Sequence, residues 1–320
     1  MRVRRRWWIG GGAALALLVA YNGVCFMHAR AMTTFVPGGV RTARPEQLGV
    51  LEKARAALFG VTVPRPVNEG SPADVGLAYS TERFEGARGG TLEAWVIPAP
   101  DPRGDVLVFH GYAASKDQLL DTARALHDEG WSVRMIDFEG SGGSSGDTVT
   151  IGHREAHDVA AAVRWARDRG VRRPVLYGFS MGAAAVLRAT AELGVEPAAI
   201  VLEAPYDRLL STVRHRFELM GLPATPSAEL LVFWGGVLHG YDGFDNEPVR
   251  WAASVRAPTL VIAGARDERA RPEEARAVAA AARARLVLLP DRGHVQAARA
   301  DPDTWRREVP TFLTARALPR

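Results

Sequence analysis

Short runs of consecutive apolar residues alternate with longer amphipathic runs along most of this chain. The apolar runs centre on Val106, Val133, Val175, Ile200, Leu260 and Val287. The amphipathic runs span residues 117–129, 153–168, 181–193, 272–284 and 302–318. Strands buried on both faces are apolar throughout, whereas helices that cover a sheet are apolar on one side only. The alternation therefore predicts an α/β fold, with a mostly parallel sheet flanked by helices on both faces.

Two stretches depart from this alternation. Residues 77–85 and 91–97 both resemble strands, and the Gly-rich residues between them predict a hairpin that opens the sheet. Residues 206–254 separate two strands by far more than the usual connection of about 2–6 residues. Helical runs at 206–220, 227–238 and 246–253 fill this interval. We therefore expect this segment to form a helical cap insertion over the domain.

The large apolar residues of the predicted cap have two interpretations. They either line a pocket or pack the cap onto the body of the domain. They are Leu209, Phe217, Leu219, Met220, Leu230, Leu231, Phe233 and Trp234. The pattern alone predicts only that the mouth of the site is apolar.

The N-terminal segment is long and apolar enough to cross a membrane. Residues 7–27 carry no charge, and as a helix they extend about 31 Å, close to the thickness of a bilayer's hydrocarbon core. Four arginines, Arg2, Arg4, Arg5 and Arg6, precede this segment. The positive-inside rule then predicts a single-pass protein with a cytoplasmic N-terminus and a catalytic domain outside the cytoplasm.

A cleaved signal peptide is the alternative interpretation of this segment. Ala29-Arg30-Ala31 has the small-X-small pattern of a cleavage site, and cleavage would give a secreted protein. The apolar stretch is longer than a typical signal core of about 7–15 residues, which favours an anchor. The predicted organisation is an anchor at 1–30, a connector at 31–76 with a helical patch at 45–59, and a catalytic domain at 77–320.

The charge and the cysteine count exclude several kinds of binding site. The net charge of +4 equals the number of arginines in the first six residues, so the rest of the chain is balanced and nucleic-acid binding is not predicted. The one cysteine, Cys25, excludes an internal disulfide and a cysteine metal cluster. The residue pattern predicts neither a metal nor an organic cofactor, and it does not specify an oligomeric state.

A candidate nucleophile lies in the motif Gly178-Phe179-Ser180-Met181-Gly182. It lies where a buried strand gives way to an Ala-rich helical run, and its glycines allow a sharp turn that exposes the Ser180 hydroxyl. A serine hydroxyl is a poor nucleophile near neutral pH, so it needs a histidine base and a carboxylate that orients that base.

Both partners occur downstream, each after a predicted strand. Asp267 follows the strand at 258–264, and His294 follows the strand at 286–289. Because parallel strands place their carboxyl ends at one edge of the sheet, we expect Ser180, Asp267 and His294 to meet there. Asp207 and Glu203, which follow an earlier strand, are the alternative acids.

Together these motifs resemble the α/β-hydrolase superfamily over residues 77–315. His110-Gly111-Tyr112 resembles the oxyanion loop of this superfamily. The turn from Asp137 to Ser144 resembles the superfamily's Asp-X-X-Gly-X-Gly-X-Ser motif. The resemblance is greatest to membrane-anchored serine hydrolases with a small helical cap. It implies that Ser180 is the nucleophile, Asp267 the orienting acid and His294 the base. It further implies an oxyanion hole formed by the backbone N–H groups of Tyr112 and Met181.

The resemblance implies hydrolysis of a carboxylic ester, small or lipid-like, or less readily of an amide or thioester. The reaction would pass through an acyl-enzyme at Ser180. Acyl transfer to an alcohol uses the same residues and is an alternative. A non-catalytic, membrane-tethered binding module is another, but it predicts the loss of at least one catalytic position, and all are present.

Overall fold

The computed structural model describes residues 2–38, 40–43 and 47–316. Positions 45–46 of the predicted helical patch and positions 317–318 of the predicted last helix lie outside these residues. The strands are β1 (Ser80–Glu85), β2 (Thr91–Ile97), β3 (Asp105–Phe109), β4 (Ser132–Asp137), β5 (Val175–Phe179), β6 (Ala199–Glu203), β7 (Thr259–Gly264) and β8 (Arg285–Leu289). They form one eight-stranded sheet in the order β1-β2-β4-β3-β5-β6-β7-β8.

Helices cover both faces of this sheet. Those of the body are α3 (Leu120–Asp128), α4 (Glu155–Arg167), α5 (Met181–Glu192), α9 (Pro272–Ala281), α10 (Ala297–Ala300) and α11 (Pro302–Arg316). The N-terminal region contributes α1 (Arg2–Thr33) and α2 (Val50–Phe59), and the segment between β6 and β7 contributes α6 (Leu209–Met220), α7 (Ser227–His239) and α8 (Pro248–Ala252). Short 3₁₀ turns occupy Pro72–Val75, Lys116–Leu119 and Gly243–Asp245.

The sheet is mostly parallel, as predicted. β1 and β2 form an antiparallel hairpin and β2 pairs antiparallel with β4, whereas every pair from β4 to β8 is parallel. The strands β5, β6 and β7 are buried along their whole length, because helices cover them on both sides. Parallel pairing brings the carboxyl ends of β5, β7 and β8 to one edge of the sheet, where Ser180, Asp267 and His294 follow.

Several predicted elements are longer or shorter in the structure. The predicted strand at 77–85 begins only at Ser80, and the helical run at 117–129 splits into a 3₁₀ turn and α3. The run at 153–168 becomes α4, which starts at Glu155. The Glu155 carboxylate accepts hydrogen bonds from the backbone N–H groups of Thr150 and Gly152, and it thereby ties down the preceding turn.

Helix α1 continues past the apolar stretch and enters the folded domain. Residues 11–33 are long and apolar enough to cross a membrane, and side chains such as Leu17 and Val19 are exposed. At the other end, Cys25 and Ala29 are each 3% exposed. The chain then pairs Thr34 with Thr148 and buries Phe35 in the core beside β3 and β4. The C-terminal end of α1 is therefore packed as part of the domain.

A buried ionic cluster holds the turn that follows β4. The Asp137 carboxylate accepts hydrogen bonds from the Lys116 backbone N–H at 2.7 Å, the Gly143 N–H at 2.9 Å and the Asn68 amide at 3.0 Å. It also pairs with the Lys116 ammonium group, whose second partner is Glu93 at 3.0 Å. Burial tends to raise the pKa of Asp137, but Lys116 and these hydrogen bonds lower it below the usual range. Asp137 is thus a structural carboxylate.

Candidate active site

Ser180 occupies a sharp turn between β5 and α5. Its backbone has φ 53° and ψ −110°, a conformation that side-chain-bearing residues rarely adopt. The flanking glycines are required for close packing, because a Cβ on Gly178 would lie 2.6 Å from the Gly182 carbonyl, and one on Gly182 would overlap the Phe109 carbonyl oxygen. Ser180 itself therefore has the strained backbone conformation. The missing side chains of Gly178 and Gly182 allow the close backbone contacts on either side of it.

The structure brings Ser180, His294 and Asp267 together in one hydrogen-bonded chain. The Nε2 atom of His294 lies 3.1 Å from Ser180 Oγ, and its Nδ1 atom lies 2.7 Å from Asp267 Oδ2. The Asp267 side chain is buried, and its Oδ1 atom accepts the backbone N–H groups of Arg269 and Ala270 at 2.9 and 3.0 Å. Because a carboxylate only accepts, Nδ1 carries the imidazole proton and Nε2 presents a lone pair to the serine hydroxyl.

The alternative acids lie elsewhere. The Glu203 carboxylate accepts the backbone N–H of Ala297 at 3.2 Å, and burial raises its pKa to about 7, although a hydrogen bond from Tyr177 lowers it. Asp207 faces Glu274. A further carboxylate, Asp291, lies three residues before His294, but it is exposed and pairs with Arg266 at 2.7 Å. Of these four carboxylates, Asp267 is the one that contacts the imidazole.

Glu274 and Asp207 form a carboxyl pair close to Asp267. Glu274 Oε2 accepts the Arg271 backbone N–H at 2.8 Å, whereas Glu274 Oε1 and Asp207 Oδ1 are buried and have no other partner among the described residues. The two side chains are close enough for a hydrogen bond, which requires one carboxyl group to carry a proton. Burial and the hydrogen bond to Asp207 raise the pKa of Glu274 to about 9, and the nearby Asp207 and Asp267 charges act in the same direction. Glu274 is therefore protonated near neutral pH.

This pair makes stability depend on pH. In the unfolded chain Glu274 ionises above the ordinary glutamate pKa of 4.5, but the folded chain keeps the proton until about pH 9. Within that window the folded state binds more protons, so the free energy of unfolding falls as the pH rises, by up to about 1.4 kcal/mol per pH unit. Glu274→Gln keeps a donor toward Asp207 and removes the titration. We expect a flatter profile of unfolding midpoint against pH between pH 5 and 9, measured by urea denaturation.

Glu273→Gln is the matched control for this prediction. Glu273 is exposed, and its one contact with a described side chain is the 3.4 Å contact with Arg276, so its loss should leave the wild-type slope in place. An identical slope in Glu274→Gln and wild type would show that Glu274 does not hold its proton in the folded state.

The backbone amides of Tyr112 and Met181 are expected to form an oxyanion hole. Met181 N–H begins α5, where the first amides of a helix have no intrahelical acceptor. In the part of the chain that the structure describes, neither the Tyr112 nor the Met181 N–H donates to a protein acceptor. The loop that contains Tyr112 is held by His110, whose Nε2 accepts the Phe138 N–H at 3.1 Å and whose Nδ1 donates to the Gly111 carbonyl at 2.8 Å. Burial lowers the pKa of His110, so the ring is neutral.

A small apolar cavity lies between the cap, the turn after Thr150 and the end of α1. Its lining includes Leu209 and Val213 of α6, Leu231 of α7, Ile151 and Met32. Of the apolar cap residues predicted to line a pocket or pack the cap, Leu209 and Leu231 thus line the cavity. Phe233 instead lies 47% exposed, and the Trp234 ring packs edge to face against Phe26 of α1.

Comparisons with known proteins agree with this architecture. A profile of the family described as serine aminopeptidase, S33, matches residues 100–227. An uncharacterized protein of Mycobacterium tuberculosis is 32% identical over 219 residues, which cover 67% of this chain and 70% of that protein. An esterase of Pyrococcus furiosus, Pf2001, superposes with a TM-score of 0.67 at 25% identity, over 79% of this chain and 97% of its own. The chain belongs to the α/β-hydrolase superfamily.

A further solved structure extends the likeness in fold. A hydrolase from Pseudomonas aeruginosa has a TM-score of 0.56 at 19% identity and covers 73% of this chain and 98% of its own. This likeness concerns the fold alone. In the present α/β hydrolase the sheet carries Ser180 after β5, Asp267 after β7 and His294 after β8.

Two features of this hydrolase's site had no signal in the sequence. Glu274 lies in the first turn of α9, where acidic residues are common, so nothing in the pattern marks it as a buried partner of Asp207. The contact between the Tyr112 hydroxyl and the Met32 carbonyl, at 2.7 Å, joins residues 80 positions apart. It connects the oxyanion loop directly to α1.

Proposed function

We propose that this α/β hydrolase is a serine hydrolase that cleaves carboxylic esters through an acyl-enzyme at Ser180. The observation that carries the proposal is the hydrogen-bonded chain from Asp267 through His294 to Ser180 Oγ, with contacts of 2.7 and 3.1 Å. These distances lie within the range for a nucleophile and its base.

In the first half of the reaction Ser180 Oγ attacks the acyl carbon while His294 Nε2 takes the hydroxyl proton. The carbonyl oxygen becomes an oxyanion, and the unpartnered N–H groups of Tyr112 and Met181 donate to it. The Asp267 carboxylate stabilises the imidazolium through Nδ1–H. Collapse of the tetrahedral intermediate breaks the acyl–oxygen bond, and the imidazolium returns its proton to the departing alcohol.

In the second half a water molecule replaces the alcohol. His294 Nε2 takes a proton from the water as its oxygen attacks the acyl carbon, and the same amides hold the second oxyanion. Breaking the bond to Ser180 Oγ releases the carboxylic acid, and the serine regains its proton from the imidazolium. The reaction needs only a proton acceptor, an oxyanion hole and water.

Ester substrates fit the site better than the N-terminal peptides that the matching profile's description suggests. An aminopeptidase must bind a free ammonium group, which calls for a carboxylate in the substrate pocket. We assign the acyl group of the substrate to the cavity between the cap and α1, and the described residues that line this cavity include no acidic side chain. The P. furiosus neighbour is an esterase, which supports the same choice.

A direct comparison of substrates tests this proposal. We expect the full-length protein in detergent to hydrolyse p-nitrophenyl esters of graded chain length and to react with a fluorophosphonate probe. The matched aminoacyl p-nitroanilides should be cleaved at least about a hundredfold less efficiently in kcat/KM, because the pocket offers the ammonium group no partner. Preferential cleavage of the anilides would contradict the ester assignment.

A further inference from the structure

The N-terminal helix packs along cap helix α7. The Tyr21 hydroxyl lies 2.6 Å from Ser227 Oγ at the start of α7, and the Phe26 and Trp234 rings meet edge to face with centroids 5.4 Å apart. Cys25 and Ala29, on the same stretch of α1, are buried. The two contacts run in the same order along both helices, so α7 lies beside the second half of α1.

The cap segment that flanks α1 is almost free of charge. Residues 219–238 contain one charged side chain, Glu229, and its carboxylate pairs with Arg214 at 2.5 Å. Phe233 and Val237 are nevertheless 47% and 54% exposed. A helix face of this kind is unusual in contact with water, where exposed apolar patches mark interaction surfaces.

The other exposed apolar side chains lie on neighbouring elements. Within residues covered by the structure, most of the large ones belong to α1, to α2, or to α7 and the turn after it. Helix α2 exposes Val50, Leu51 and Leu58, and it contacts α1 through a 2.9 Å hydrogen bond between His28 Nε2 and the Ala57 carbonyl. The apolar surface is therefore continuous around the point where α1 enters the domain.

The same helix forms a wall of the apolar cavity under the cap. Ala29 and Met32 of α1 line it together with residues of α6 and α7. The Met32 carbonyl accepts a hydrogen bond from the Tyr112 hydroxyl at 2.7 Å, so Tyr112 of the proposed oxyanion hole contacts a residue that lines this cavity.

We infer that α7 is embedded in the same membrane that α1 enters, and that the cavity between α1 and the cap receives the acyl chain of a membrane-resident ester. The inference about the substrate rests on the proposed ester hydrolysis. The bilayer is the occupant that fits, because the exposed face of α7 is continuous with a helix long and apolar enough to span it. The cavity is small, so the chain enters as the cap and α1 move apart. Helix α1 remains attached, since cleavage after Ala31 would remove part of the cavity wall.

Fluorescent labelling tests the position of α7 independently of activity. In a Cys25→Ala background, Val237→Cys carries the environment-sensitive dye NBD, and the full-length protein is reconstituted in phosphatidylcholine nanodiscs. We expect blue-shifted NBD emission and strong quenching by nitroxide-labelled lipids. Val67→Cys is the matched control, because Val67 is equally exposed, at 58%, and lies outside α1, α2 and α7. Its dye should show neither effect. Equal emission and quenching at the two positions would overturn the inference.

A cavity-filling variant tests the acyl site. Gly235 is buried and lines the cavity, yet a Cβ placed on it meets no atom within 4 Å. A side chain at this position therefore begins in open space, and Gly235→Leu extends it into the cavity. We expect kcat/KM for a dodecanoyl ester to fall about tenfold or more while that for a butanoyl ester stays near wild type, because the displaced methylene groups lose apolar contacts. Gly23→Leu adds the same side chain on the exposed side of α1 and should leave the chain-length profile unchanged.

The outcomes separate this inference from the proposed function. An unchanged chain-length profile in Gly235→Leu, with butanoyl ester hydrolysis intact, would reject the acyl cavity and leave the esterase in place. A wild-type protein that neither hydrolyses esters nor reacts with a fluorophosphonate would reject the proposed function and, with it, the ester substrate. The NBD measurement would then still decide whether α7 lies in the membrane.

Discussion

Ser180→Ala is expected to reduce kcat for ester hydrolysis by a factor on the order of 10⁶, by analogy with the loss of the nucleophile in other serine hydrolases. The methyl group cannot form the acyl bond, and His294 loses the hydroxyl from which it takes a proton. Fluorophosphonate labelling, measured by in-gel fluorescence, should disappear with the activity. The unfolding midpoint should stay near wild type, because the hydroxyl contacts only the imidazole among the described side chains.

Ser254→Ala is the matched control for this variant. Ser254 is exposed at the end of α8, and its backbone makes a turn hydrogen bond that the substitution preserves. Labelling and turnover should equal those of the wild type. Labelling that persists in Ser180→Ala at the wild-type stoichiometry would mean that another residue is the nucleophile.

Asp267→Asn is expected to lower kcat by a factor on the order of 10⁴, again by analogy with a measured serine-protease case. Asp267 accepts the imidazole Nδ1–H at 2.7 Å, and an amide at this position can donate to Nδ1 and so stabilise the tautomer that puts the proton on Nε2. That tautomer cannot take the serine proton. The fold should persist, because the amide oxygen can still accept the N–H groups of Arg269 and Ala270.

The same substitution at other carboxylates distinguishes between the possible acids. Asp207→Asn should leave kcat within about tenfold of wild type, since Asp207 contacts Glu274 and not the imidazole. Asp291→Asn should have no effect, because Asp291 is exposed and pairs with Arg266. A 10⁴-fold loss in Asp207→Asn, with Asp267→Asn near wild type, would show that the orienting acid follows β6 and that its assignment to Asp267 is wrong.

Most of the fold could be predicted from the sequence, because its strands and helices have different apolar periods. β5, β6 and β7 are buried on both faces and therefore read as continuous apolar runs. The bounds of α6 and α3 were less accurate, since an apolar run does not reveal where capping contacts begin a helix. The prediction of a hairpin at β1 and β2 was correct, because a Gly-rich turn separates two strands with alternating apolar and polar residues.

The environment of the acid and of α1 could not be predicted in the same way. Which carboxylate reaches His294 depends on side-chain direction: Glu203 ends β6 and points to Ala297, whereas Asp267 follows β7 and points to the imidazole. The apolar residues of α1 favour lipid and protein surroundings equally, so the sequence could not show that Ala29 is buried against the cap. Nor could it separate Leu231, which lines the cavity, from Phe233, which is exposed.

The most direct test of the account is to isolate the covalent intermediate. Wild-type protein is mixed with a p-nitrophenyl ester, quenched with acid within the first turnover, and analysed by intact mass and peptide mapping. We predict a mass increase equal to one acyl group, located on the peptide that contains Ser180 and absent from Ser180→Ala. An active enzyme that carries its acyl group on a different residue, or none at any time in the turnover, would contradict the proposed mechanism.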